Sequence, residues 1–238
     1  MIHLNNLSVH YRRRAALRHV SGHFAVGSLT AVMGPNGAGK SSLLKALVGA
    51  LPTPAGCVDL GVSAQHIAYL PQLAELDRSF PIQVRDCVRL GAWNRAGALG
   101  RIDADTEDRV DHALHTVGLQ GFERRAIGSL SSGQLQRVLF ARVLVQDAPL
   151  ILLDEPFNAV DSGTTEALLE IVARWHAEHR TVIAVIHDEA QAYAHFEQTL
   201  LLAREVVAWG ATQDVLQPAH LQRARRMAEA WELEAVRA

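Results

Sequence analysis

The chain has 238 residues, 49% of them hydrophobic and 20% charged. That is enough apolar matter to bury a core without disulfide or metal staples, and too much for a disordered chain. Twenty-three basic against 25 acidic side chains give a formal charge of −2, so bulk charge does not point to nucleic acid. The two cysteines, Cys57 and Cys87, do not form a Cys-x-x-Cys pair and fit a reducing compartment. Nowhere do eighteen apolar residues run together, so no membrane span is expected.

The opening residues Met1–Leu7 alternate like a strand and lack the basic-then-apolar order of a secretion signal. Ile2–Tyr11, Leu17–Phe24 and Leu29–Met33 read as antiparallel strands, with Arg12-Arg13-Arg14 as a solvated turn. A glycine-rich stretch follows, then a helix from Lys40 to about Ala50. Pro52, Pro54 and Gly56 break the chain before short strands near Cys57–Leu60 and Ile67–Leu70. From Ile82 to Gln146 the period is helical: Val84, Cys87, Val88 and Leu90 share one face, and Val110, Leu114 and Val117 another.

The apolar run Leu150–Leu153 reads as a fully buried parallel strand. A helix over Thr164–Glu178, a strand over Thr181–Ile186, a helix over Asp188–Phe196 and a strand over Thr199–Leu202 then alternate. This predicts an α/β fold with a parallel sheet. Residues 1–83 and 149–215 form its core, 84–148 a helical insertion and 216–238 a helical tail.

Gly34-Pro35-Asn36-Gly37-Ala38-Gly39-Lys40-Ser41 has P-loop spacing between a predicted strand and a predicted helix, and Ser42 continues it. Such glycines let backbone N–H groups close on phosphate oxygens at a helix N-terminus. Lys40 would reach the β- and γ-phosphates, and the Ser41 hydroxyl would ligate Mg²⁺. Lys40 and Lys45 are the only lysines among the 23 basic residues; a chain that otherwise uses arginine keeps lysine here. Leu150–Leu153 runs into Asp154-Glu155, an apolar strand ending in two acids. Asp154 would hold Mg²⁺ through water and Glu155 would polarise the attacking water. Neither lysine follows an asparagine, so the Asn-Lys-x-Asp guanine-reading motif is absent and guanine is disfavoured.

Leu130-Ser131-Ser132-Gly133-Gln134 resembles the Leu-Ser-Gly-Gly-Gln signature of ATP-binding-cassette (ABC) ATPases, with Ser132 where the family has glycine. The resemblance runs over about residues 2–215. It implies a P-loop NTPase cassette with a RecA-like parallel core, an antiparallel β subdomain and an inserted helical subdomain. It also places Gln72 as the Q-loop glutamine and Mg²⁺ ligand, His187 as the H-loop histidine on the γ-phosphate, Asn158–Asp161 as the D-loop and Tyr11 as the aromatic on adenine. Leu130–Gln134 would serve the nucleotide of a second copy, the two chains sandwiching two ATP molecules head to tail.

Phe80-Pro81-Ile82-Gln83-Val84, continuing to Gly91, resembles the Phe-Pro-x-Thr-Val segment of ATPases from zinc and manganese importers, with Gln83 for threonine. Val206–Gly210 is similar to their closing hairpin. The resemblance implies a separate membrane permease docked near Leu73–Leu90, an extracytoplasmic solute-binding protein, and a place on the cytoplasmic face of the membrane. ATPases of iron-chelate, haem or cobalamin importers are the alternative, and a non-transport ABC ATPase is a more remote one. The pairs His112/His115 and His176/His179 have helical spacing but no Cys or carboxylate partner at ligand spacing, and no transition-metal site is assigned to them.

Overall fold

A computed structural model describes residues 1–11, 14–54, 57–93, 103–158 and 160–237. Arg12, Arg13, Gly56 and Ala159, which the sequence reading used, lie outside the described residues.

Two sheets organise the chain. The smaller has the order β2-β1-β4, from β1 (Ile2–Tyr11), β2 (Arg14–Phe24) and β4 (Val58–Asp59), all antiparallel. The larger has the order β5-β6-β7-β3-β8-β9, from β3 (Leu29–Met33), β5 (Ile67–Leu70), β6 (Leu150–Leu153), β7 (Thr181–Val185), β8 (Gln198–Leu202) and β9 (Val206–Ala211). β5 to β8 and β3 run parallel, and β9 returns antiparallel on β8.

The expected antiparallel role of Leu29–Met33 is therefore corrected: β3 is a central parallel strand between β7 and β8. Its five residues are all buried, and a strand covered on both faces carries no alternation from which its direction can be read. The same holds for β6 and β7, and period two divides their apolar runs between two cores. Ile151, Leu153, Val182 and Ala184 face one cluster, while Leu150, Leu152, Ile183 and Val185 face the other.

Helix α1 (Lys40–Leu47) packs through Leu43, Leu44 and Leu47 into the core it shares with β1 and β2. The other face of the large sheet is covered by α2 (Val84–Arg89), α3 (Ala104–Thr116), α4 (Ser132–Gln146) and α5 (Ser162–Ala177). Trp175 of α5 stacks on Phe140 of α4 at 5.8 Å between ring centroids. Helices α6 (Glu189–His195), α7 (Thr212–Val215) and α8 (Pro218–Arg237) complete the chain.

Among the described residues, 84–148 hold helices and turns and no strand. Val84, Cys87 and Val88 are buried as a face, but Leu90 is 46% exposed. α2 ends at Arg89 and the chain tightens into a 3₁₀ turn over Leu90–Ala92, which swings Leu90 off the buried stripe.

Candidate active site

The P-loop leaves the C-terminal end of β3 and enters α1. Gly34 and Gly39 are fixed by close approach as well as by backbone angle. Gly34 has φ 145° and a Cβ there would fall 2.0 Å from the Leu202 carbonyl oxygen; Gly39 has φ 92° and its Cβ would fall 2.3 Å from that of Ala16. Only glycine fits either place. Asn36, Gly37, Ala38, Gly39, Lys40, Ser41 and Ser42 line a cavity of about 360 Å³. Gln72 and Glu155 border it on one side and Ala15, Ala16 and Arg204 on another. It lies at the N-terminus of α1, where unpaired N–H groups and the helix dipole favour an anion.

Lys40 is only 6% exposed. Its ammonium donates to the carbonyls of Gly34 (2.8 Å) and Pro35 (3.0 Å), the partners that a buried charge requires. Desolvation pulls its pKa below the ordinary lysine value, against the raising effect of Glu155 and Asp154.

Asp154, at the end of β6, is fully buried. It accepts from the Ser41 hydroxyl at 2.9 Å, the Gln72 amide at 3.4 Å and the Tyr69 hydroxyl at 3.5 Å. Gln72 also donates to Ser41 Oγ at 2.9 Å. Burial raises the Asp154 pKa, opposed by the hydrogen bonds from Ser41 and Gln72. A hydroxyl, a carboxylate and an amide at the floor of an anion cavity form a hard-oxygen set. It suits Mg²⁺, which binds through one or two protein oxygens plus phosphate rather than in a full cage. The Gln72 amide presents its NH₂ group to Ser41; half a turn about its last bond presents the oxygen instead.

Glu155 is the first residue past this cluster and stands in the left-handed region, φ 52°. For a residue with a Cβ that geometry costs about 1–3 kcal/mol, and such outliers gather at functional sites. The turn aims its carboxylate between the P-loop cavity and a second one that His187 lines. His187 Nε2 lies 2.9 Å from Glu155 Oε1, and the Asn158 amide donates to the other oxygen. His187 follows β7, just before Asp188 caps α6 by accepting from the Ala190 and Gln191 N–H groups.

Leu130–Gln134 is elsewhere: none of these residues lines the P-loop cavity. Leu130 is buried and its carbonyl accepts from Arg78. Ser131 caps α4 in a capping box, its hydroxyl accepting from the Gln134 N–H at 3.2 Å while Gln134 Oε1 accepts from the Ser131 N–H at 3.0 Å. Ser132 and Gly133 open that helix, half-buried. An added Cβ on Gly133 would make only ordinary contact with Asp161, at 3.6 Å.

Tyr11 ends β1, and its side chain lies outside the described residues. Sequence reasoning missed Arg204 and the Ala15-Ala16 wall. The alanines reach the cavity from β2 of the small sheet and Arg204 from the turn between β8 and β9, and no spacing from Lys40 announces them.

The profile of the ABC transporter family matches residues 17–158, a span from Leu17 of β2 through the P-loop and signature to Asn158. This chain is an ABC transporter family member. A metal transport system ATP-binding protein of Chlamydia pneumoniae is 38% identical over 90% of this chain and 84% of its own length. The manganese transport system ATP-binding protein MntB of Listeria monocytogenes is 36% identical over 92% and 93%. The zinc transport system ATP-binding protein TroB of Treponema pallidum is 36% identical over 94% and 86%. Among solved structures, an inward-facing ABC transporter of metal-chelate type superposes with a TM-score of 0.83 at 27% identity, over 94% of this cassette and 88% of that chain. A dimeric ATP-binding cassette holding ADP and inorganic phosphate gives 0.78 at 25%, over 89% and 99%.

Proposed function

We propose that this cassette hydrolyses Mg-ATP to drive import of a divalent metal ion, zinc or manganese, through a separate membrane permease. The observation that carries the ATP chemistry is the P-loop cavity bordered by Gln72 and Glu155, with Asp154 hydrogen-bonded to Ser41 and Gln72 behind it and His187 on Glu155 from the adjoining cavity. The ion is read from the relatives, whose names give manganese, zinc or metal transport at 34–38% identity.

In this reading Lys40 leaves the Gly34 and Pro35 carbonyls for the β- and γ-phosphate oxygens, which the N–H groups of Asn36–Ser41 and the Ser42 hydroxyl also hold. Bound Mg²⁺ supplies positive charge against the same oxygens. Ser41, Asp154 and a rotated Gln72 hold it. Glu155 accepts a proton from water as that water attacks the γ-phosphorus; the bond to the β-phosphate oxygen breaks, and ADP and inorganic phosphate leave. His187 keeps the carboxylate aimed and touches the γ-phosphate. Tyr11 lies against adenine, and Leu130–Gln134 of a second copy closes the site over the γ-phosphate.

Residues 1–83 and 149–215 then form the ATP-binding core, 84–148 the helical segment carrying the signature and 216–238 the tail. Phe80, 59% exposed, and Trp93, 57% exposed, offer the permease an apolar anchor at the cytoplasmic face of the membrane. A solute-binding protein would deliver the ion from outside. Among the described residues no helix is long and apolar enough to cross a membrane, which leaves the pore to that partner.

The test is growth of a strain lacking this gene under zinc and manganese chelation. Growth should slow and be restored by either ion but not by ferric chelate or cobalamin. Restoration by ferric chelate alone would assign the cassette to an iron-chelate importer.

A further inference from the structure

We infer that Arg204 is a nucleotide-binding residue, holding the end of the phosphate chain remote from the reacting γ-phosphate, and that Trp231 of the C-terminal helix positions its guanidinium. The inference rests on the ATP reading above.

The turn between β8 and β9 brings Arg204 to the P-loop cavity. Both of its backbone polar groups are already used: its N–H donates to the Ala38 carbonyl at 2.9 Å, and its carbonyl accepts from the Arg18 N–H at 2.7 Å. What Arg204 can still offer a ligand is the side chain. Its φ is 61°, a left-handed turn that glycine or asparagine would occupy at lower cost. A long cationic residue at a place that favours glycine needs another reason to be there.

The guanidinium has a support on one side. Arg204 Cζ lies 5.5 Å from the centre of the Trp231 ring, and Arg18 Cζ lies 4.0 Å from the same ring. Both are within cation–π range. Among the described residues neither arginine makes an ion pair with a carboxylate. Both guanidinium groups stand against the same ring with no carboxylate partner among the described residues, and an anion in the cavity would supply a partner to Arg204. A planar guanidinium suits phosphate oxygens in particular.

Strand order assigns the end of the phosphate chain. Gln72, Asp154–Glu155 and His187 follow β5, β6 and β7, all on one side of β3, whereas Arg204 follows β8 on the other side. A phosphate chain running along the P-loop with its γ-phosphate toward Glu155 places its α-phosphate toward Arg204. The same helix α8 also lines a 160 Å³ cavity with Gly34, Pro35 and His187 through Leu221, Ala224 and Arg225, so it spans the P-loop from the His187 side to the Arg204 side.

The experiment is equilibrium binding of ADP to the full chain, which needs neither the γ-phosphate nor a second copy. Arg204→Ala should weaken ADP binding about ten- to hundredfold, the loss expected for a charge-assisted contact. Arg204→Lys should recover part of it. Arg204→Gly should melt no lower than the parent while binding as poorly as Arg204→Ala, which separates ligand contact from a structural role. Trp231→Ala should weaken binding about two- to fivefold, the scale of one partly exposed cation–π contact. Arg204→Ala and Arg204→Gly binding ADP within about twofold of the parent, while Lys40→Ala abolishes binding, would overturn this assignment alone. A parent chain that fails to bind ADP would overturn the ATP reading with it.

Discussion

Beneath the P-loop the polar groups are engaged with one another: Lys40 on two carbonyls, Ser41 and Gln72 on Asp154, and His187 on Glu155. The start of α4 is the opposite case. Ser131 and Gln134 satisfy only each other's backbone, the Ser131 side chain stands at an exposed position, and Gly133 has room for a Cβ. On the proposed reading, the first region is a closed network that ATP must reopen. The second is a capped helix end whose Ser131 and Gln134 side chains bond each other's backbone and, among the described residues, no other group. On that same reading, a single copy holds the nucleotide-binding half of an active site and, on a separate face, what a second copy needs to complete its own.

Removing the carboxylate proposed to position water is the largest expected break. Glu155→Gln should lower phosphate release by about 10²–10⁴-fold, the usual worth of a general base. It should leave ATP binding intact and accumulate an ATP-bound dimer on a sizing column. Near-normal turnover would remove Glu155 from the chemistry.

Gly133→Ala sharpens the contrast from the other side. The new methyl fits within the free chain, and alanine improves a helix by roughly 0.5–1 kcal/mol over glycine. Melting temperature should hold or rise while turnover falls about tenfold or more, the methyl now standing against a partner's phosphate. A normal rate with normal stability would detach Gly133 from the dimer site.

Asp154→Asn probes the tension in the closed network. Burial raises the Asp154 pKa above its unfolded value. The folded state therefore binds the extra proton, and folding loses stability as pH rises from about 4 through the folded pKa. The neutral amide escapes that loss. It should raise the melting temperature above that window by about 2–4 °C per kcal/mol relieved, with no gain in acid, while Mg²⁺-dependent hydrolysis is lost. An equal gain at acid and neutral pH would assign the effect to packing.

Phe80→Ala should have the smallest intrinsic effect. The ring is 59% exposed, and such surface changes stay within about 0.5 kcal/mol in stability. ATP binding should be unchanged, and only stimulation of turnover by the permease should weaken.

Much of this was legible in the sequence because several signals are local. Gly34–Ser41 declares phosphate binding by spacing alone, and Leu150–Leu153 running into Asp154-Glu155 reads as a buried strand ending in two acids. The direction of β3 was not legible, since a strand buried on both faces shows no alternation. The exposure of Leu90 was hidden by a helix ending one residue before it. Arg204 could not be found by spacing at all: it reaches the cavity only because β8 lies beside β3, a long-range pairing that leaves no mark near either residue.

The division of the active site between two copies is tested most directly by mixing two inactive variants. Lys40→Ala lacks a working P-loop and Gly133→Asp places a carboxylate where a partner's phosphate would sit; each alone should be inactive. In a mixed dimer, the P-loop of the Gly133→Asp chain meets the unaltered signature of the Lys40→Ala chain, so one intact site is rebuilt. Phosphate release should reappear on mixing and peak near equal proportions. If the mixture stays as inactive as its components while both still pair with the parent chain, Leu130–Gln134 does not act across the dimer.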